Sequence, residues 1–91
     1  MIAKLIEPCM DKNWSLQFFN IPGDSRRDFN PVRANIWFWC RHFGEFYKTH
    51  PFLQGDSEDW MMIEFWTSSQ SLILEACLAI CNQLNLTLEM E

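Results

Sequence analysis

Two prolines, Pro31 and Pro51, bracket the longest helical pattern in this chain, and Asn30 stands directly before the first of them. An asparagine side chain accepts hydrogen bonds from the free N–H groups at a helix start, and proline is tolerated at the first helical position. The residue before a proline resists the helical conformation, so Pro51 closes the segment. The spacing predicts a helix from Asn30 to about Thr49. Gly44 within it costs about 1 kcal/mol relative to alanine and marks a place for a bend.

At 100° per residue, Val32, Ile36, Trp39, Cys40, Phe43, Phe46 and Tyr47 cover one side of this helix, a wide core stripe. Arg33, Trp37, Arg41 and Lys48 fall outside that stripe. Arg33, Trp37 and Arg41 are spaced by four, which makes them surface neighbours. They are expected to form an exposed basic strip with an outward-looking indole at its centre. If so, Trp37→Ala leaves stability nearly unchanged. Phe38 lies on a third side of the helix.

The rest of the chain supplies shorter elements. Ile2 to Cys9 and Trp14 to Phe19 read as two strands joined through the turn signal Asp11-Lys12-Asn13, a hairpin. Pro8 places the far end of the first strand at a sheet edge. Ile21 to Phe29 and Phe52 to Asp59 read as loops. Trp60 to Trp66 is apolar on both sides, as in an interior strand. Thr67-Ser68-Ser69-Gln70 has the T-x-x-Q form of a capping box, opening a second helix to about Leu84. Asn85 suits the left-handed helix end, and Leu86 to Met90 is a last strand.

The expected architecture is α+β: a two-layer sandwich of order ββαβαβ, with a four-stranded mixed sheet and two helices on one face. Strand, helix and strand from Trp60 to Met90 form a βαβ unit with parallel strands. With 91 residues the chain is expected to be a single domain, 1–91. So small a domain hides only about 60–70% of its unfolded surface, so its core must be rich. Five tryptophans and eight phenylalanines meet that need.

Charge is unevenly placed. From Asp24 to His50 the net charge is +2, with Arg26 and Arg27 adding to the helix cations, whereas the remainder carries −7. Such asymmetry bears on steering and partner choice rather than on fold.

The sequence offers no catalytic constellation. P-loop, dinucleotide-binding and nucleophile-elbow glycine patterns are absent. Cys40 and His42 point apart on a helix. Cys77 and Cys81 share a helix side, but without a CxxC pair they do not make a zinc motif, so neither metal nor cofactor is expected. The four cysteines are expected as buried thiols. Met1–Ile6 is too short for a signal peptide and meets Glu7-Pro8 at once. No apolar run approaches the ~18–20 residues that span a bilayer. The expected setting is cytoplasmic, with no membrane partner.

The leading expectation is a non-enzymatic protein-binding module, an adaptor or inhibitor of a larger protein. It would act through Arg33, Trp37, Arg41, Lys48, Arg26 and Arg27. Trp and Arg are enriched where binding energy concentrates. A homo-oligomer is the expected accompaniment if Leu74 and Leu78, on a helix apolar almost all round, face solvent. The same Arg/Trp strip would suit a nucleic acid, against which stand the pI of 4.8 and the lack of an RRM signature. Further alternatives are an acidic mimic of nucleic acid, displaying Asp56, Glu58, Asp59 and Glu64, or a small enzyme with an unlocated site.

Overall fold

The computed structural model describes residues 1–9, 13–23, 30–67 and 69–90. The elements run β1 (Ile2–Ile6), β2 (Trp14–Phe19), α1 (Pro31–Phe46), β3 (Pro51–Asp56), β4 (Met61–Phe65), α2 (Gln70–Gln83) and β5 (Leu88–Met90). The class is α+β, with two helices and a mixed sheet. The sheet has five strands rather than four, in the order β3-β4-β2-β1-β5. Most of the Asp11-Lys12-Asn13 turn, residues 24–29 of the first loop and Ser68 of the capping box lie outside the described residues.

β1 and β2 form the expected antiparallel hairpin, with Leu5 opposite Leu16. β4 is the expected interior strand, antiparallel to both β2 and β3. The strand missed in the sequence is β3, within what reads as a loop. Its Pro51 is a permitted first residue of an edge strand, and a bulge between Leu53 and Gly55 breaks its alternation. A turn closes this hairpin, with Ser57 N–H donating to Trp60 O at 2.9 Å.

The expected βαβ unit keeps its parallel strands, but with two strands between them. β4 and β5 point the same way, because β1 and β4 both oppose β2 while β5 is parallel to β1. They are not neighbours: β2 and β1 lie between them. β1 is consequently an interior strand, and Pro8 falls beyond its end.

One face of the sheet builds the core. Ala3, Leu5, Trp14, Leu16, Phe18, Met61, Ile63 and Phe65 alternate inward and meet as cross-strand neighbours, Leu16 with Ile63 and Phe18 with Met61 among them. Ile36 and Cys40 of α1 and Ile73, Cys77 and Ile80 of α2 join them in a single cluster. Both helices therefore lie on that face, and among the described residues no helix covers the other face of the sheet.

Both helices end in the same way. Asn30 caps α1, accepting from Val32 N–H at 3.0 Å and Arg33 N–H at 3.3 Å. The helix stops at Phe46, three residues before the expected end. Lys48 turns left-handed (φ 59°), and Thr49 N–H donates back to Gly44 O at 2.8 Å. α2 repeats this with Asn85 (φ 59°) and Leu86 N–H donating to Cys81 O at 2.8 Å. These are Schellman ends, in which the left-handed residue lets two N–H groups satisfy the last carbonyls. At its start α2 is capped by Ser69, whose Oγ accepts from Leu72 N–H at 3.5 Å, rather than by Thr67.

Candidate functional site

The phase of α1 decides which side chains are available to a partner. Its buried residues are Arg33, Ile36, Cys40 and Gly44, spaced by three and four. That stripe is rotated away from the expected one, toward the side of Arg33 and Trp37. Two contacts hold the rotation. At Gly44 the Pro51 ring approaches so closely that a Cβ there would stand 2.4 Å from Pro51 Cγ. At the other end Arg33 reaches under the β3–β4 hairpin. Its Nη1 pairs with the Asp56 carboxylate and also donates to Trp60 O at 3.4 Å, while Nη2 donates to Ser57 O. Arg33 is only 8% exposed, and its Nε is left without a hydrogen-bond partner.

The expected basic strip is thereby corrected. Arg33 is a buried clamp on a hairpin, not a surface cation. Trp37 is half-buried and packs against the core cluster, so it does not look outward between two guanidinium groups. Arg41 is exposed on the helix, whereas Lys48 is exposed beyond its end, in the left-handed turn. Arg26 and Arg27 lie outside the described residues. Leu74 is half-buried against the core, while Leu78 is 51% exposed.

The outer side of α1 is aromatic, with Phe43 at its inner margin packed against the core. Phe38 stacks on His42 (centroids 6.1 Å apart, planes at 9°), and Trp39 stacks on Phe43 (5.6 Å, 23°). These are two parallel i, i+4 ladders. Edge contacts join them: Phe38 to Trp39 at 4.9 Å and His42 to Phe43 at 5.0 Å. Further along, Phe46 meets Tyr47 edge-on at 5.0 Å. Phe38 is 50% exposed and Phe46 70%. Arg41 and Glu45, both exposed, stand among them. Of the expected core stripe, Ile36 and Cys40 are buried and Val32 and Phe43 pack against the core, whereas Trp39 is only half-buried and Phe46 is exposed. The signal that separates the two phases is Gly44, which marks a side of close backbone approach rather than a bend.

A groove of about 520 Å³ adjoins this surface, lined by Tyr47, Glu75, Leu78, Ala79 and Asn82. Leu78 and the Phe46–Tyr47 pair thus border the same part of the helical layer.

The cysteines are chemically quiet in this fold. Cys40, Cys77 and Cys81 are buried and free, whereas Cys9 is exposed. Burial pushes the Cys81 thiol up to about 11 and raises Cys77, with Cys81 nearby adding to the latter. Cys40 is raised well above the ordinary value, chiefly by burial and then by Cys77 and Cys81. A thiol held protonated is a poor nucleophile and a poor metal ligand. Among the described residues no group of three His, Cys, Asp or Glu side chains could hold a metal ion. No described helix is long and apolar enough to cross a membrane.

No protein-family model matches the chain, and no curated protein matches it.

Proposed function

We propose that this protein is a protein-binding module, an adaptor or inhibitor of a larger protein, whose contact surface is the aromatic outer side of α1. The observation that carries the reading is the stacked Phe38–Trp39–His42–Phe43 array with Phe38 half exposed, extended by Phe46. Interface cores are enriched in aromatics and arginine, and an aromatic surface ringed by polar groups favours a protein partner. The stacked rings are already ordered, so little side-chain freedom is lost on binding. Arg41 and Glu45 supply orientation.

Phe38→Ala and Phe46→Ala test this. Both side chains are exposed, so the melting temperature should stay within a few degrees of wild type. A partner captured from the native host by the wild-type protein should be lost with the paired variant. Equal capture by both proteins refutes the reading.

A second reading, self-association, is favoured by Leu78, 51% exposed beside the groove at Tyr47. Sedimentation at two concentrations, repeated with Leu78→Glu, separates a second copy of this chain from a different partner. The nucleic-acid alternative loses Arg33 from its expected backbone contacts, because that guanidinium is occupied by the hairpin.

A further inference from the structure

The outer face of the sheet, opposite the helices, has its own chemistry. The register places its side chains in rows across the strands. Phe52 of β3 lies opposite Glu64 of β4, which lies opposite Ser15 of β2, which lies opposite Ile6 of β1. In the next row Met62 is opposite Gln17. A cleft of about 530 Å³ opens over these rows, with Glu7, Ser15, Gln17, Gln54, Met62 and Glu64 in its lining. That volume is within the range of about 300–1,000 Å³ typical of ligand-binding clefts.

The floor of the cleft is preorganised. Trp60 lies against Gly55, where a Cβ would come within 2.6 Å of its ring, and its Nε1–H donates to Gln17 Oε1 at 3.1 Å. Gln17 Nε2–H in turn donates to Ser15 Oγ at 3.2 Å, which fixes the orientation of the amide. Next to Glu64, outside the cleft's own lining, Trp66 continues past β4, its N–H donating to His50 O at 3.2 Å. The Trp66 ring meets Phe52 at 4.5 Å between centroids and remains 60% exposed. Among the described residues neither the Glu7 nor the Glu64 carboxylate has a hydrogen-bond or ion-pair partner. Among the described residues no lysine or arginine lines the cleft. Lys4, on the same face, has its ammonium 5.8 Å from the centroid of the Phe19 ring.

We propose that this cleft is a second contact site, which takes an arginine side chain from a basic segment of a protein partner. A guanidinium stacks on an indole face and pairs with a carboxylate in one geometry. The Trp66–Phe52 pair supplies the aromatic surface, and Glu64, directly across from Phe52, supplies the charge. Gln54 and the Ser15 hydroxyl offer acceptors for the remaining N–H groups. The site lies on the layer opposite the aromatic side of α1 and does not depend on it, so a chain carrying both could bridge two proteins.

The test is titration of the full chain with a fluorescently labelled oligo-arginine peptide, at low and at physiological salt. Glu64→Gln and Trp66→Ala should each weaken binding by about fivefold or more while leaving the melting curve in place. Glu75→Gln, an acidic change on the helical layer, should leave binding unaltered, as should Phe38→Ala. Absence of binding at low salt overturns the proposal. So does an equal loss with Glu75→Gln, which would mean diffuse charge attraction. Tighter binding of a labelled oligothymidine than of the peptide overturns it as well, making the aromatic pair a base platform. Because Phe38→Ala is read separately, the two surfaces fail or stand independently.

Discussion

Replacing Gly44 by alanine opposes two effects of known sign. Alanine is the better helix former by about 1 kcal/mol, so propensity alone predicts a stabilised protein. The added Cβ, however, would lie 2.4, 2.8 and 3.0 Å from Pro51 Cγ, Cβ and Cδ. Carbon atoms in ordinary contact sit about 3.5–4.0 Å apart, so the ring would have to retreat by roughly 1 Å. It has little room to do so. Pro51 opens β3 and is paired with Phe65, and it follows His50, itself held at φ 50°. Forcing a methyl into such a contact typically costs about 1–3 kcal/mol, and three close contacts at one ring put this site at the upper end. After the propensity gain, the net loss is about 2 kcal/mol, or roughly 10 °C in melting temperature for a domain of this size. Urea denaturation followed by helical circular dichroism measures it. A Gly44→Ala/Pro51→Gly cycle should show favourable coupling, because the ring that clashes is gone. A Gly44→Ala protein stabilised by about 1 kcal/mol would refute the close approach, and with it the phase of α1.

Three further outcomes follow from the same structure. Lys48→Gly should stabilise the protein by about 1 kcal/mol, because Lys48 occupies the left-handed position that ends α1; an unchanged urea midpoint would mean the helix ends elsewhere. Asp56→Asn should destabilise by about 1–3 kcal/mol, since it leaves the buried Arg33 guanidinium on two carbonyls alone, and Arg33→Met should remove most of that coupling in a double-mutant cycle. In the native protein a thiol reagent should modify Cys9 promptly and Cys40, Cys77 and Cys81 only on unfolding. The raised thiols also set a pH limit. Below the ordinary value of 9.0 they are neutral in both states; above it the unfolded chain ionises while the native chain keeps its protons. Stability should therefore fall as pH rises from about 9 toward about 11 for Cys81, and further for Cys40 and Cys77, whereas a flat alkaline profile would place these thiols in contact with water.

Local patterns in the chain are sufficient for several elements. The alternation of Trp14, Leu16 and Phe18, and of Met61, Ile63 and Phe65, commits those segments to strands with one buried face, since side chains alternate with a period of two. Asn30-Pro31 starts α1 because capping and proline geometry act within a few residues. Asn85 ends α2 for the same local reason. The three helix cysteines, Cys40, Cys77 and Cys81, also enter the core as expected, whereas Cys9, likewise expected buried, is exposed.

Other features were decided by partners distant along the chain. β3 carries Pro51, Gln54, Gly55 and Asp56, a composition that resembles a loop, and it is a strand because β4 offers it an edge to pair with. The rotation of α1 rests on Pro51 against Gly44 and on Asp56, Ser57 and Trp60 against Arg33. A helical wheel weighs hydrophobicity alone and so sends an arginine outward. A buried guanidinium becomes tolerable once a hairpin arriving 23 residues later supplies its carboxylate and carbonyls. The same rotation moves Phe46 into the open and draws Trp37 inward. Amphipathic periodicity thus establishes that α1 has an inside, while the close packing of one ring and one ion pair chooses which side that is.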